Sequence, residues 1–120
     1  MLIFAKTKCR FTMRAFPSMK KLHDDSRANG VRVVIINRGE EPEKIVPIYE
    51  ELVSGVTVLH DRTQEITESY GVSAVPFFFL LDPQHRIIER MPYTYEAADN
   101  AINVALGLTT ECSTTESGAG

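Results

Sequence analysis

Apolar residues are distributed along the chain in two rhythms. Short, nearly unbroken β-branched runs occupy residues 2–5 (LIFA) and 31–37 (VRVVIIN), and the second is continuous enough to predict a strand covered on both faces. Between them Ala15, Met19, Leu22 and Ser26 recur at three- and four-residue steps among lysines and aspartates, which predicts a helix closed by Asn29 and Gly30. Strand, helix and strand in that order predict a parallel pair joined by a right-handed crossover.

The same two rhythms continue downstream. Residues 41–53 (EPEKIVPIYEELV) carry a second helical pattern, in which Pro47 would remove an internal hydrogen bond and predicts a late start or a kink; Pro17 predicts a kink in the first helix for the same reason. A short strand is expected at 56–61 (VTVLHD) and a short helix at 63–71 (TQEITESYG), ended by Gly71. The runs PFFFLLD and RIIER flank DPQH, a turn with Pro83 at its second position, and so predict an antiparallel hairpin. Ala98, Ile102 and Ala105 line one face of a last helix from about Thr94 to Leu106, with Thr94 as N-cap. From residue 109 the run TTECSTTESGAG has almost no apolar surface to bury and is expected to be a disordered tail, which leaves residues 1–108 as the folded unit.

Composition narrows the function classes. At 120 residues and 43% hydrophobic content the chain suits one domain with a single core. Its formal net charge of -3 leaves no basic excess for a phosphate backbone, so nucleic acid is not an expected partner. The longest apolar run, residues 75–81, is too short to cross a bilayer, and residues 1–5 run into lysines without the layout of a secretion signal. As written, the chain reads as soluble and cytoplasmic. A core strand starting at the second residue is also what removal of an export or anchor segment would leave, and in that case the protein is extracytoplasmic or periplasmic, with membrane contact only through the missing anchor. Cys9 and Cys112 cannot form a disulfide scaffold, and their spacing to His23, His60 and His85 fits no zinc pattern. Neither a metal nor a cofactor is expected.

The chemistry that remains is sulfur. Cys9 falls at the start of the first helix, where backbone N–H groups lack intrahelical partners and the helix dipole is positive. Lys6, Lys8, Arg10 and Arg14 add cations, and such surroundings lower a thiol pKa and favour the reactive anion. Thr12, one turn on, can donate its hydroxyl to the sulfur but cannot act as a thiol. Against this stands the commoner fate of a lone cysteine, a small buried hydrophobe. Pro76, which opens the strand PFFFLLD after GVSAV, and Pro17, eight residues after Cys9, follow the cysteine in an order that neither proline suggests singly.

With these elements in sequence, the chain resembles the thioredoxin-like superfamily, in particular the redoxins related to TlpA, ResA and MauD, over about Leu2 to Leu106. The likeness rests on the apolar strand, Cys9 opening a helix with Pro17 beyond it, VVIINRG, the helix and strand before LHD, and above all SYGVSAVP with FFFLLDPQHRI. It implies an α/β three-layer sandwich whose mixed central sheet has about five strands, with helices on both faces. The implied strand order is second, first, hairpin-first, hairpin-second, with the strand at 57–60 on the edge beside the second. It further implies a cis Val75-Pro76 bond facing Cys9, with the Val75 backbone offered to a bound peptide or disulfide. Three positions depart from the family pattern: CRFT replaces Cys-x-x-Cys, Lys8 replaces a tryptophan, and Phe77 replaces the threonine after the cis-proline.

Loss of the second cysteine argues against dithiol reduction. Thiolate attack forms a mixed disulfide that a second thiol must resolve. The leading expectation is therefore a monothiol thiol-disulfide oxidoreductase, acting in exchange, isomerisation or deglutathionylation. Cys9 and Thr12 form its centre, Val75, Pro76, Phe11 and Phe77 its substrate wall, and protein or low-molecular-weight thiols such as glutathione its partners. Cys112 is a candidate resolving thiol only if the tail reaches back, a span on the order of 13 Å. Two alternatives stand: a redox-inactive binding module that keeps the groove at Val75 and Pro76, and a peroxiredoxin-like thiol peroxidase. The second lacks the Pro-x-x-x-Thr-x-x-Cys pattern, since Ala5, Lys6, Thr7 and Lys8 precede the cysteine. His60, His23 and His85 read as surface or turn residues, and Glu40, Glu41 and Glu43 as charge at a helix N-terminus.

Overall fold

The two apolar runs of the N-terminal half pair in parallel, and the hairpin adds to the far side of the first. The computed structural model describes residues 1–107, so the expected tail, residue 108 and Cys112 lie outside the described residues. The elements follow as β1 (Leu2–Ala5), α1 (Arg10–Arg27), β2 (Val34–Arg38), α2 (Pro42–Leu52), β3 (Thr57–Asp61), α3 (Glu65–Ser69), β4 (Phe77–Leu81), β5 (Ile87–Pro92) and α4 (Tyr95–Ala105). They build a five-stranded sheet in the order β3-β2-β1-β4-β5, the order that the resemblance implies. β1, β2 and β3 are parallel, with Phe4 opposite Ile36 and Ile36 opposite Leu59, while β4 runs antiparallel to both β1 and β5.

Alternation along the strands divides the apolar residues between two faces. Ile3, Ala5, Ile35, Phe78 and Leu80 join the inner faces of α1, α2 and α4 in the main core. Phe16 and Met19 of α1 are wholly buried there, each side chain contributing roughly 1.5–3 kcal/mol by leaving water. Phe4, Ile36 and Phe79 form a smaller core on the opposite face, closed by Tyr70 and Val72 just after α3. Phe79 meets both Phe4 and Tyr70 edge-on, at 5.6 and 5.0 Å between ring centres.

Both helix prolines are tolerated. α2 starts at Pro42 rather than late, and neither Pro47 nor Pro17 interrupts its helix. The carbonyls that they leave without a donor belong to Glu43 and Met13, and both residues are exposed, so water can replace the lost bonds. His23 corrects the surface assignment: it lies on the buried face of α1, four residues beyond Met19, with Nδ1 unpartnered.

Side chains fix two of the joints. Thr94 caps α4, its hydroxyl accepting from the Ala97 N–H at 3.0 Å. Asp61, at the end of β3, accepts from the Ile66 N–H at 3.1 Å and from the Thr67 N–H and hydroxyl at 2.7 and 2.6 Å, tying α3 to the sheet. Burial works against the Asp61 anion, but the Thr67 hydroxyl and the two amides outweigh it and hold its carboxyl below the usual 3.8. A carboxyl depressed on folding stabilises fully above its unfolded value and loses that contribution as pH falls through its folded one. Asp61→Ala is expected to cost about 2 kcal/mol in urea unfolding at neutral pH. Below pH of about 4 the difference between the two proteins should shrink.

Candidate functional site

The β1–α1 connection carries the thiol. The Cys9 N–H donates to the Lys6 carbonyl at 3.0 Å, closing a tight turn, and the Cys9 carbonyl accepts from the Met13 N–H to begin α1. Cys9 is thus the N-cap residue, in extended conformation, with its side chain left free of any capping bond. The sulfur lies 3.6 Å from the Val75 carbonyl oxygen and donates its S–H toward it. The Val75-Pro76 peptide bond is cis, and the next carbonyl, of Pro76, is held by the Tyr93 N–H at 2.9 Å where β5 ends.

Partial burial pushes the Cys9 thiol up. The amide of Thr12, its hydroxyl, the amide of Phe11 and the charge of Arg38 together outweigh that and leave the thiol below its ordinary value. The first turn of α1 therefore acts as its position suggests. Arg38 does not follow from the sequence: it reaches the site from the end of β2, its Nε donating to Gln64 Oε1 at 3.3 Å. Thr12 is completely buried and its Oγ1 has no hydrogen-bond partner while the sulfur is a thiol. An orphaned buried hydroxyl is costly, and a neighbouring thiolate supplies the acceptor that it lacks.

Beyond the sulfur a cavity of about 520 Å³ opens along the cis bond, lined by Phe11, Arg14, Val75, Pro76, Phe77 and Arg90 among others. Phe11 is 68% exposed at its rim. Phe77 is half-buried, and the Arg90 guanidinium sits 5.7 Å from its ring centre and 5.3 Å from that of Phe79. The structure thus brings Cys9, Thr12, Phe11, Val75, Pro76 and Phe77 to one end of the sheet. Among the described residues no group of three or more His, Cys, Asp or Glu side chains could hold a metal.

A second element behind the thiol escaped the sequence reading. Glu40 does not charge the start of α2; it is buried, and its carboxylate accepts from the Thr7 N–H at 2.9 Å, the Thr7 hydroxyl at 2.8 Å and the Asn37 amide at 3.1 Å. Asn37 in turn accepts from the Tyr49 hydroxyl, whose phenol burial and the Glu40 charge push far upward. The Glu40 carboxylate joins Thr7, two residues before Cys9, to Asn37 at the end of β2, and Asn37 carries the link on to Tyr49 of α2. The only sequence signal was a polar Asn37 closing an otherwise apolar strand run.

The AhpC/TSA family profile matches residues 1–90. Among curated proteins, the chain is similar to the thiol-disulfide oxidoreductase ResA of Bacillus subtilis strain 168, 25% identical over 88 residues, covering 73% of this chain and 49% of ResA. It is likewise similar to ResA of Geobacillus thermodenitrificans strain NG80-2, 27% identical over 86 residues, covering 72% of this chain and 49% of that protein. The chain spans about half the length of these relatives. A crystal structure described as the thiol:disulfide interchange protein DsbE from Chlorobium tepidum superposes with a TM-score of 0.80 at 24% identity, over 88% of this chain and 78% of the other. That match places the sheet and its helices in the thioredoxin-like fold.

Two outcomes follow from this geometry. The alkylation rate of Cys9 plotted against pH is expected to have its midpoint below the value of about 8.5 for free cysteine, and Arg38→Gln should move that midpoint upward. Glu40→Ala would leave three buried donors unpaired and should cost about 3 kcal/mol in chemical unfolding, with Glu40→Gln intermediate.

Proposed function

Because the chain belongs to the AhpC/TSA family, we propose that it is a thiol-disulfide exchange protein working through one attacking thiol, Cys9. The observation that supports this most directly is a partly exposed Cys9 whose thiol is held below its ordinary value, its sulfur 3.6 Å from the carbonyl that precedes a cis-proline. A thiolate at Cys9 attacks one sulfur of a substrate disulfide, forms the Cys9–substrate disulfide and expels the other sulfur as a thiolate, which takes a proton from solvent. No electrons enter or leave the pair of molecules in that step.

Thr12 sets what happens next. Its hydroxyl can bond the Cys9 thiolate and lower the cost of forming it, but it cannot attack the mixed disulfide. Resolution falls to an outside thiol, either a second cysteine of the same protein substrate, which gives isomerisation, or a small thiol such as glutathione, which gives deglutathionylation. Val75 and Pro76 supply the wall along which an extended substrate lies, and Phe11 and Phe77 the apolar contacts beside it. Cys112 lies outside the described residues, and its part in resolution is a question for peptide mapping of the oxidised protein.

The exposed Phe11 beside the groove would also serve a module that binds partners without chemistry. A thiol held below its ordinary value has no use in such a module, and this favours exchange. A peroxidase reading gains no support from the residues before Cys9, where Leu2 and Lys6 stand at the positions of the pattern's proline and threonine. Among the described residues no helix is long and apolar enough to cross a membrane.

Turnover of a glutathione mixed disulfide with glutathione as reductant should be abolished by Cys9→Ser; turnover that survives this change would refute the assignment. Thr12→Cys should raise insulin reduction by at least tenfold over the natural chain, by supplying the missing intramolecular resolving thiol.

A further inference from the structure

The charge around Cys9 runs opposite to that of the chain as a whole. No aspartate or glutamate precedes residue 24, and Lys6, Lys8, Arg10 and Arg14 all lie within five residues of Cys9, in a chain of formal net charge -3. Folding gathers further cations at the same end of the sheet: Arg38 from β2 acts on the sulfur, and Lys44 from α2 lines a second cavity of about 400 Å³ with Lys6, Lys8 and the carboxylates of Glu40 and Glu41. On the other side of the helix start, Arg14 and Arg90 line the larger cavity along Pro76.

These cations are not neutralised locally. Ion pairs among the described residues use Lys20, Lys21, Arg62 and Arg86, and none uses Lys6, Lys8, Arg10, Arg14, Arg38 or Lys44. The carboxylates around the start of α2 make no ion pair with these cations. Glu40 is buried and bonded to Thr7 and Asn37, Glu41 pairs with Arg62 at 3.1 Å, and Glu43 sits in the first turn of α2. Asp61 is enclosed by the start of α3. A group of unpaired like charges raises its own energy by mutual repulsion, and an anion arriving among them relieves it.

The distribution of the cations indicates the shape of that anion. In the chain Lys6 and Lys8 precede the thiol and Arg10 and Arg14 follow it; Lys6 and Lys8 line one cavity and Arg14 the other, which also takes in Val75, 3.6 Å from the sulfur. A ligand that meets both must extend beyond the disulfide in two directions, as a peptide does. Extended chain rises about 3.3 Å per residue, so acidic side chains within two or three residues of a half-cystine are placed to reach either flank.

We propose that the disulfide attacked by Cys9 belongs to a peptide segment whose cysteine is flanked by acidic residues, their carboxylates seated against Lys6, Lys8 and Lys44 on one side and Arg14 on the other. This rests on the exchange reaction proposed above and adds the substrate's charge to it. The Cys9 thiolate forms a disulfide with the acidic peptide's cysteine, the old disulfide breaks, and the leaving sulfur departs as a thiolate.

The test uses the whole chain and cysteine pentapeptides flanked by four aspartates, four serines or four lysines, each as its mixed disulfide with 2-thiopyridine, so that attack releases thiopyridone and is read by absorbance. At low salt the aspartate peptide is expected to react at least tenfold faster than the lysine peptide, and at about 1 M salt, where screening reaches about 3 Å, the ratio should fall towards one. In the variant carrying Lys6→Gln, Lys8→Gln and Lys44→Gln, the low-salt ratio should drop to within threefold of one. Taking the ratio cancels any change in the intrinsic nucleophilicity of Cys9. Equal rates for the three peptides, or a ratio unmoved in the variant, overturn the charge assignment and leave the exchange reaction standing. Glutathione carried on the same 2-thiopyridine leaving group should react more slowly than the aspartate peptide; an equal or faster rate overturns the choice of a peptide. No release with any probe refutes both the exchange reaction and this inference.

Discussion

A single buried carboxylate holds together the end of the sheet that carries Cys9. Glu40 accepts three hydrogen bonds, two from Thr7 and one from Asn37, and Thr7 stands two residues before the thiol. The register of β1 on β2, with Ala5 opposite Asn37, brings these residues side by side as both strands end. A charge in this position is stable only when its lone pairs are filled, and the donors are available only when both connections are folded. The loop that carries Cys9 and the loop that opens α2 are therefore tied to one another through Glu40.

With that loop fixed, the other parts of the site come from elements far apart in the chain. The sulfur is placed by the turn closed on Lys6, the facing carbonyl by the cis bond after Val75, and the influential cation by the end of β2. None of these segments is adjacent in sequence to another. The sheet order β3-β2-β1-β4-β5 puts β1 at its centre, so the start of α1 lies between the end of β2 and the start of β4. The site sits at this central junction, where the connections leaving β1 and β2 diverge.

The elements could be read from the sequence because each carries its own periodicity. Met19, Leu22 and Ser26 mark the buried side of α1, Thr94 caps α4 through its own side chain, and Pro83 begins the hairpin turn that the His85 N–H closes on the Asp82 carbonyl. Strand order and the cis bond entered through family resemblance rather than through the residues themselves. Glu40 and Arg38 were missed for a physical reason: a glutamate in an acidic run and an arginine at a strand end both look solvated until tertiary pairing shows what they face. His23 was missed although its signal was present, since Thr12, Phe16, Met19 and His23 share one helical face. Its polar side chain outweighed a spacing that pointed inward.

The contact between Cys9 and Val75 has one more implication. As a thiol the sulfur is a donor, with the Val75 carbonyl oxygen 3.6 Å away to accept. Once that proton leaves, sulfur and oxygen are two acceptors facing one another, and neither can satisfy the other. The sulfur then has the orphaned Thr12 hydroxyl as a donor, and the Val75 oxygen is left open. Loss of one proton thus frees the Val75 carbonyl and gives the buried Thr12 hydroxyl an acceptor in the same event.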